Sequence, residues 1–86
     1  MSIDAALVKE QGVHFAVVVV KAQVLDNSAE CSKVQRGFQA WFPGYNIVLM
    51  AQNSRGTPTY YGRPDIVRFL TKTHTSQLPL KRYSRN

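Results

Sequence analysis

The chain is poor in the residues that most often carry chemistry. Cys31 is its only cysteine, so no internal disulfide and no multi-cysteine zinc site can form. Only two histidines are present, His14 and His74, and they lack the i, i+4 spacing of a helical metal pair. The acids number five, Asp4, Glu10, Asp26, Glu30 and Asp65, and they are scattered; no two are placed as a paired acid and base. Gly44, Gly56 and Gly62 stand apart as turn punctuation rather than as a phosphate-binding loop. No apolar run approaches the ~20 residues of a membrane-spanning helix. The longest, Phe15 to Val20, has the length of a strand. No secretory signal pattern is visible at the start, and a single thiol fits a reducing compartment, so the expected location is cytoplasmic. These absences argue against a metal, a cofactor, a membrane partner and an enzyme.

What the chain has is hydrophobic content and positive charge. Its 86 residues suffice for one domain, and 44% of them are hydrophobic, which is ordinary for a globular protein. The net charge of +6 is uneven. The stretch after Gly62 holds Arg63, Arg68, Lys72, Lys81, Arg82 and Arg85 against Asp65 alone. Such a segment suits an anionic partner such as nucleic acid; solubility is the plainer explanation.

Periodicity predicts the order ββαββα. Ile3 to Glu10 alternates as a strand, and Gln11-Gly12 suits a tight hairpin turn. Val13 to Val24 reads as the central strand, because four consecutive valines, Val17 to Val20, disfavour a helix. It is apolar on both faces, with Val13, Phe15, Val17 and Val19 on one side and Ala16, Val18, Val20 and Val24 on the other. Asn27 can cap a helix, with Glu30 three residues on as in a capping box. Cys31, Val34, Phe38 and Trp41 follow as its apolar stripe. Gly37 weakens this helix and is expected to permit close packing on the sheet. Ile47 to Ala51 and Thr57 to Tyr61 read as two more strands, joined by the turn Asn53-Ser54-Arg55-Gly56, and Pro58 marks an edge. Pro64 and Asp65 suit the first turn of a second helix that buries Ile66, Val67, Phe69 and Leu70. The expected architecture is α+β: a four-stranded mixed sheet with both helices on one face, spanning residues 1–72. Residues 73–86 are expected to be a basic, flexible tail that adds little stability.

The segment Val48-Leu49-Met50-Ala51-Gln52, the turn Ser54-Arg55-Gly56 and the run Tyr60-Tyr61-Gly62-Arg63-Pro64-Asp65-Ile66-Val67 resemble small uncharacterised bacterial, proteobacterial proteins. The resemblance covers the C-terminal half and implies no activity. The strand–hairpin–helix order from Val17 to Leu70 is also loosely similar to the C-terminal part of a thioredoxin-like fold. Without a Cys-x-x-Cys motif it implies no redox function.

Two functional surfaces follow from these readings. The first is a homodimer face of Val13, Phe15, Val17 and Val19, since a sheet with both helices on one side leaves the other side bare. Helices on opposite faces, or a C-terminal segment folded over the sheet, would each remove that need. The second is a nucleic-acid contact set of Arg55, Arg63, Lys81, Arg82, Tyr83 and Arg85, in which cations meet phosphates and tyrosines stack on bases. No standard nucleic-acid-binding signature accompanies it. The primary expectation is a non-enzymatic interaction protein acting as a homodimer, and the alternative is a nucleic-acid-binding accessory or regulatory protein. Cys31, near a helix start where a thiol pKa can fall, reads as a core residue in preference to a nucleophile.

Overall fold

The structure, a computed structural model, describes residues 1–85. It is α+β: β1 (Ser2–Glu10), β2 (Val13–Val19), a 3-10 turn (Ala22–Asp26), α1 (Ser28–Gln39), β3 (Asn46–Gln52), β4 (Pro58–Tyr61), α2 (Pro64–Thr71), a second 3-10 turn (Thr75–Gln77) and β5 (Leu80–Ser84). The sheet is mixed, with strand order β4-β3-β2-β1-β5. β2 and β3 run parallel and all other neighbours are antiparallel. Among the described residues, no helix is long and apolar enough to cross a membrane.

The local signals explain most element boundaries. Gln11 and Gly12 both take positive φ, 50° and 79°, the pattern of a type I′ hairpin turn. Asn27 caps α1, its side-chain oxygen accepting from the Glu30 N–H at 3.1 Å. Pro64 occupies the first turn of α2. The central strand ends earlier than its valines suggest. It stops at Val19, and Val24 lies in the 3-10 turn, where its carbonyl accepts from the Cys31 thiol at 3.2 Å. Gly37 differs from expectation as well: it is exposed, and a Cβ built there would meet nothing within 4 Å. The glycine that does permit a close approach is Gly62, where a Cβ would lie 3.0 Å from a Val48 methyl and 3.2 Å from the Val48 Cα.

The larger corrections concern layers and the C-terminus. The helices lie on opposite faces. Ile3, Ala5, Ala16, Val18, Ile47 and Leu49 cluster with Cys31 and Phe38 of α1. Their strand neighbours of opposite parity, Ala6, Phe15, Val17, Val48 and Met50, cluster with Ile66 and Leu70 of α2. β1, β2 and β3 are therefore apolar on both sides because each side has its own helix. The segment expected to be a flexible tail supplies a fifth strand, β5, which forms five residue pairs with β1 from Ser2↔Ser84 to Ala6↔Leu80. To reach that edge from α2, the chain crosses the sheet on the α2 side and buries Leu78 against the cluster of Phe15 and Val17. The reasons for missing β5 are physical: five residues are too few to show a period, and pairing with β1 supplies the order that local sequence does not.

Candidate nucleic-acid interface

The predicted contact residues do not converge. Lys81, Arg82, Tyr83 and Arg85 belong to β5 and its end, at one edge of the sheet; Arg55 and Arg63 flank β4, at the other. Strand alternation also divides the β5 group. Tyr83 pairs with Ile3 on the α1 side and packs edge-on against Phe42, with ring centroids 5.2 Å apart. Arg85 sits over the Trp41 ring at 5.3 Å. Arg82 points to the α2 side, where it bonds Asp4 at 2.7 Å. Arg63 is engaged too: its Nε and an Nη donate to both oxygens of Asp65 at 2.8 Å. That contact, chiefly the hydrogen bond from Arg63, holds the Asp65 carboxyl below its usual range. Of the predicted cations, Arg82 and Arg63 thus spend their charge within the chain.

The predicted dimer face is likewise occupied. Phe15 and Val17 are buried under α2 and Leu78, and Val13 and Val19 are half-buried at its margins. The Phe15 ring meets Phe69 edge-on at 6.1 Å. Neither face of the sheet lies bare for a second copy.

Two open clefts of similar size differ in what their polar groups are doing. The first, about 580 Å³, lies beside α1 and is lined by Ser32, Gln35, Arg36, Gln39, Asn46 and Arg63. Its amides hold the fold: Gln35 donates to the Ile47 carbonyl at 2.8 Å, Gln39 to Phe42 and Tyr45, and Asn46 to His14. The amides of this cleft are committed to the backbone, while Arg36 on its wall makes no ion pair among the described residues.

The second, about 560 Å³, lies between the β3–β4 turn and the C-terminal end of α2. The turn is rigid. The Asn53 side chain accepts from the N–H groups of Arg55 and Thr57 at 2.8 and 3.0 Å, and Gly56 takes the positive φ that closes it. This places Arg55 on the cleft wall. Across from it are Lys72 and His74. The carbonyls at the end of α2, which would repel an anion, are covered: the Thr71 hydroxyl donates to the Arg68 carbonyl at 2.8 Å and the Thr73 hydroxyl to Phe69 at 3.0 Å. His74 accepts the Ser76 N–H on Nδ1 at 3.1 Å, which leaves Nε2 carrying the proton as a donor. Among the described residues no carboxylate lines this cleft, and neither Arg55 nor Lys72 makes an ion pair. Tyr60 forms part of the wall, and its hydroxyl is buried without a hydrogen-bond partner; burial raises its pKa, so it stays a neutral donor.

Sequence reading found Arg55 and missed Lys72 and His74 as its companions. The available signal was the absence of any acid after Asp65, since every side chain that the end of α2 brings near Arg55 is neutral or basic. Cys31 is fully buried and hydrogen-bonded, and burial pushes its thiol pKa up, so it belongs to the core. Against family models, curated proteins and solved structures, the chain has no significant match.

Proposed function

We propose that this chain is a non-enzymatic nucleic-acid-binding protein of accessory or regulatory type. It holds the phosphate backbone of a strand in the cleft between the β3–β4 turn and the end of α2. The supporting observation is a concave site lined by two cations, Arg55 from the turn and Lys72 from the end of α2, with His74 beside them as a neutral donor and, among the described residues, no carboxylate to neutralise them. Cations without intramolecular partners release counterions from phosphates on binding; cations already paired, such as Arg63 and Arg82, contribute less. The cleft has room for one or two nucleotides and lacks the protruding helix that reads a major groove. Recognition is therefore of backbone and shape, with weak sequence preference.

Fluorescence anisotropy with a labelled single-stranded oligonucleotide tests the reading. Binding should be measurable at low salt and fall steeply as salt rises. The double variant Arg55→Ser, Lys72→Ser should bind about tenfold more weakly at low salt, with a log–log salt slope shallower by about 1.5, as expected for two lost phosphate contacts to a single strand. Absence of binding at low salt, or an unchanged slope in the double variant, would contradict it.

A further inference from the structure

β5 pairs with β1 on one side only; its other side is an edge of the sheet. The backbone phase of that edge follows from its last pair. The Arg85 N–H donates to the Met1 carbonyl and the Met1 amine to the Arg85 carbonyl, each at 2.9 Å. In an antiparallel ladder such mutually bonded pairs recur every second residue, so Ile3↔Tyr83 and Ala5↔Lys81 share that phase. The backbone groups of Lys81 and Tyr83 are therefore spent on β1, while those of Leu80, Arg82 and Ser84 point outward. The Leu80 N–H is taken by the Leu78 carbonyl at 2.8 Å. Among the described residues, the N–H groups of Arg82 and Ser84 and the carbonyls of Leu80, Arg82 and Ser84 have no partner and face a neighbouring strand.

From this register we infer that β5 pairs antiparallel with β5 of a second copy of the chain, about a two-fold axis at Arg82. The edge is self-complementary in that register. Arg82 exchanges both backbone bonds with its counterpart, and each Ser84 N–H donates to the Leu80 carbonyl of the other copy. On the α1 side, Lys81 faces the Tyr83 ring of the second copy, a cation against an aromatic face. On the α2 side, Leu80, 42% exposed in one chain, gains a neighbour in Ser84. The unfavourable contact is Arg82 against Arg82. Each is held by its own Asp4 at 2.7 Å, so the two cations do not meet bare. No proline or bulge interrupts residues 80–84. The opposite edge is closed to such pairing, because β4 has only four residues and begins at Pro58. Pairing through β5 therefore stops at a dimer with a continuous ten-stranded sheet and does not propagate. A strand-edge contact falls at the low end of interface sizes, below ~1,200 Å², the range of weak and reversible association.

Two substitutions at Arg82 test the register with opposite signs. Its N–H points away from β1, so Arg82→Pro leaves the intrachain ladder intact and removes the central intermolecular bonds. Arg82→Thr keeps the N–H and removes the repelling charge. Sedimentation velocity across ~5–500 μM, with circular dichroism as a fold control, should show a reversible dimer for the natural chain. Arg82→Pro should stay folded and monomeric at every concentration, and Arg82→Thr should dimerise about tenfold more tightly. A natural chain that is monomeric throughout, or a dimer equally strong in both variants, overturns the inference. An unfolded Arg82→Pro shows that the N–H points to β1, and overturns the register on which the inference rests. None of these outcomes depends on nucleic-acid binding.

Discussion

The two edges of the sheet are built on different terms. β4 is short, starts at a proline, and is tied into the molecule by the turn before it and the helix after it. β5 is separated from its helix by a crossing of the whole sheet, begins after Pro79, and relies on one neighbour, β1, and one half-buried ring, Tyr83. The β4 edge spends its surroundings on a concave cationic site. The β5 edge spends two of its cations, through Asp4 and the Trp41 ring, on holding itself down. Basic residues thus have different meanings at the two edges: a cation with a partner inside the chain is part of the fold, and a cation without one is available to bind.

Removing one edge gives the largest contrast. A chain ending at Pro79 loses the β1–β5 ladder and the Tyr83–Phe42 contact. About 3 kcal/mol of stability should go with them, lowering Tm by about 15 °C in a domain of this size. Calorimetry showing a shift of only a few degrees would mean that β5 is not part of the cooperative unit. At the other edge, Gly62→Ala forces a Cβ against Val48 where β4 leaves the sheet, and should cost about 2 kcal/mol in urea unfolding. A neutral result there would show that β4 can shift without consequence, and would make it the looser edge.

Two smaller effects sharpen the comparison. Pro58→Val should change stability by less than about 0.5 kcal/mol, yet promote concentration-dependent association by unblocking β4; light scattering distinguishes the two effects. The Arg63–Asp65 contact gives a pH signature. Because the Asp65 pKa is lowered in the folded state, its stabilisation is present above the unfolded carboxyl pKa and lost as pH falls through the folded value. Asp65→Asn should flatten the acid side of the stability–pH curve slightly, and an identical curve would show that this exposed contact carries nothing.

The sequence made the local features legible and left the global ones hidden, for identifiable reasons. Gln11-Gly12, Asn27 and Pro64 act within a turn of the chain, and each does in the structure what its chemistry requires. The two-sided apolarity of Val13–Val19 was equally visible, but it is compatible with a bare face and with a covered one. Only the position of α2 on the far face and the burial of Leu78 decide between them. β5 was hidden because Lys81 and Arg82 disguise a strand as a tail. Their partners, Ala5 and Asp4, lie more than seventy residues away. The cleft was hidden for the same reason: Arg55 and Lys72 become neighbours only once β4 and α2 fold back on each other.

The central claim is that the working cations are Arg55 and Lys72, which share one cleft and, among the described residues, make no ion pair. The most direct measurement is an amide chemical-shift titration of the labelled protein with a short single-stranded oligonucleotide at low salt. The account predicts the largest shifts at Arg55–Thr57 and Thr71–Thr75, with β5 little changed. Shifts concentrated at Leu80–Arg85, with the cleft silent, would contradict it.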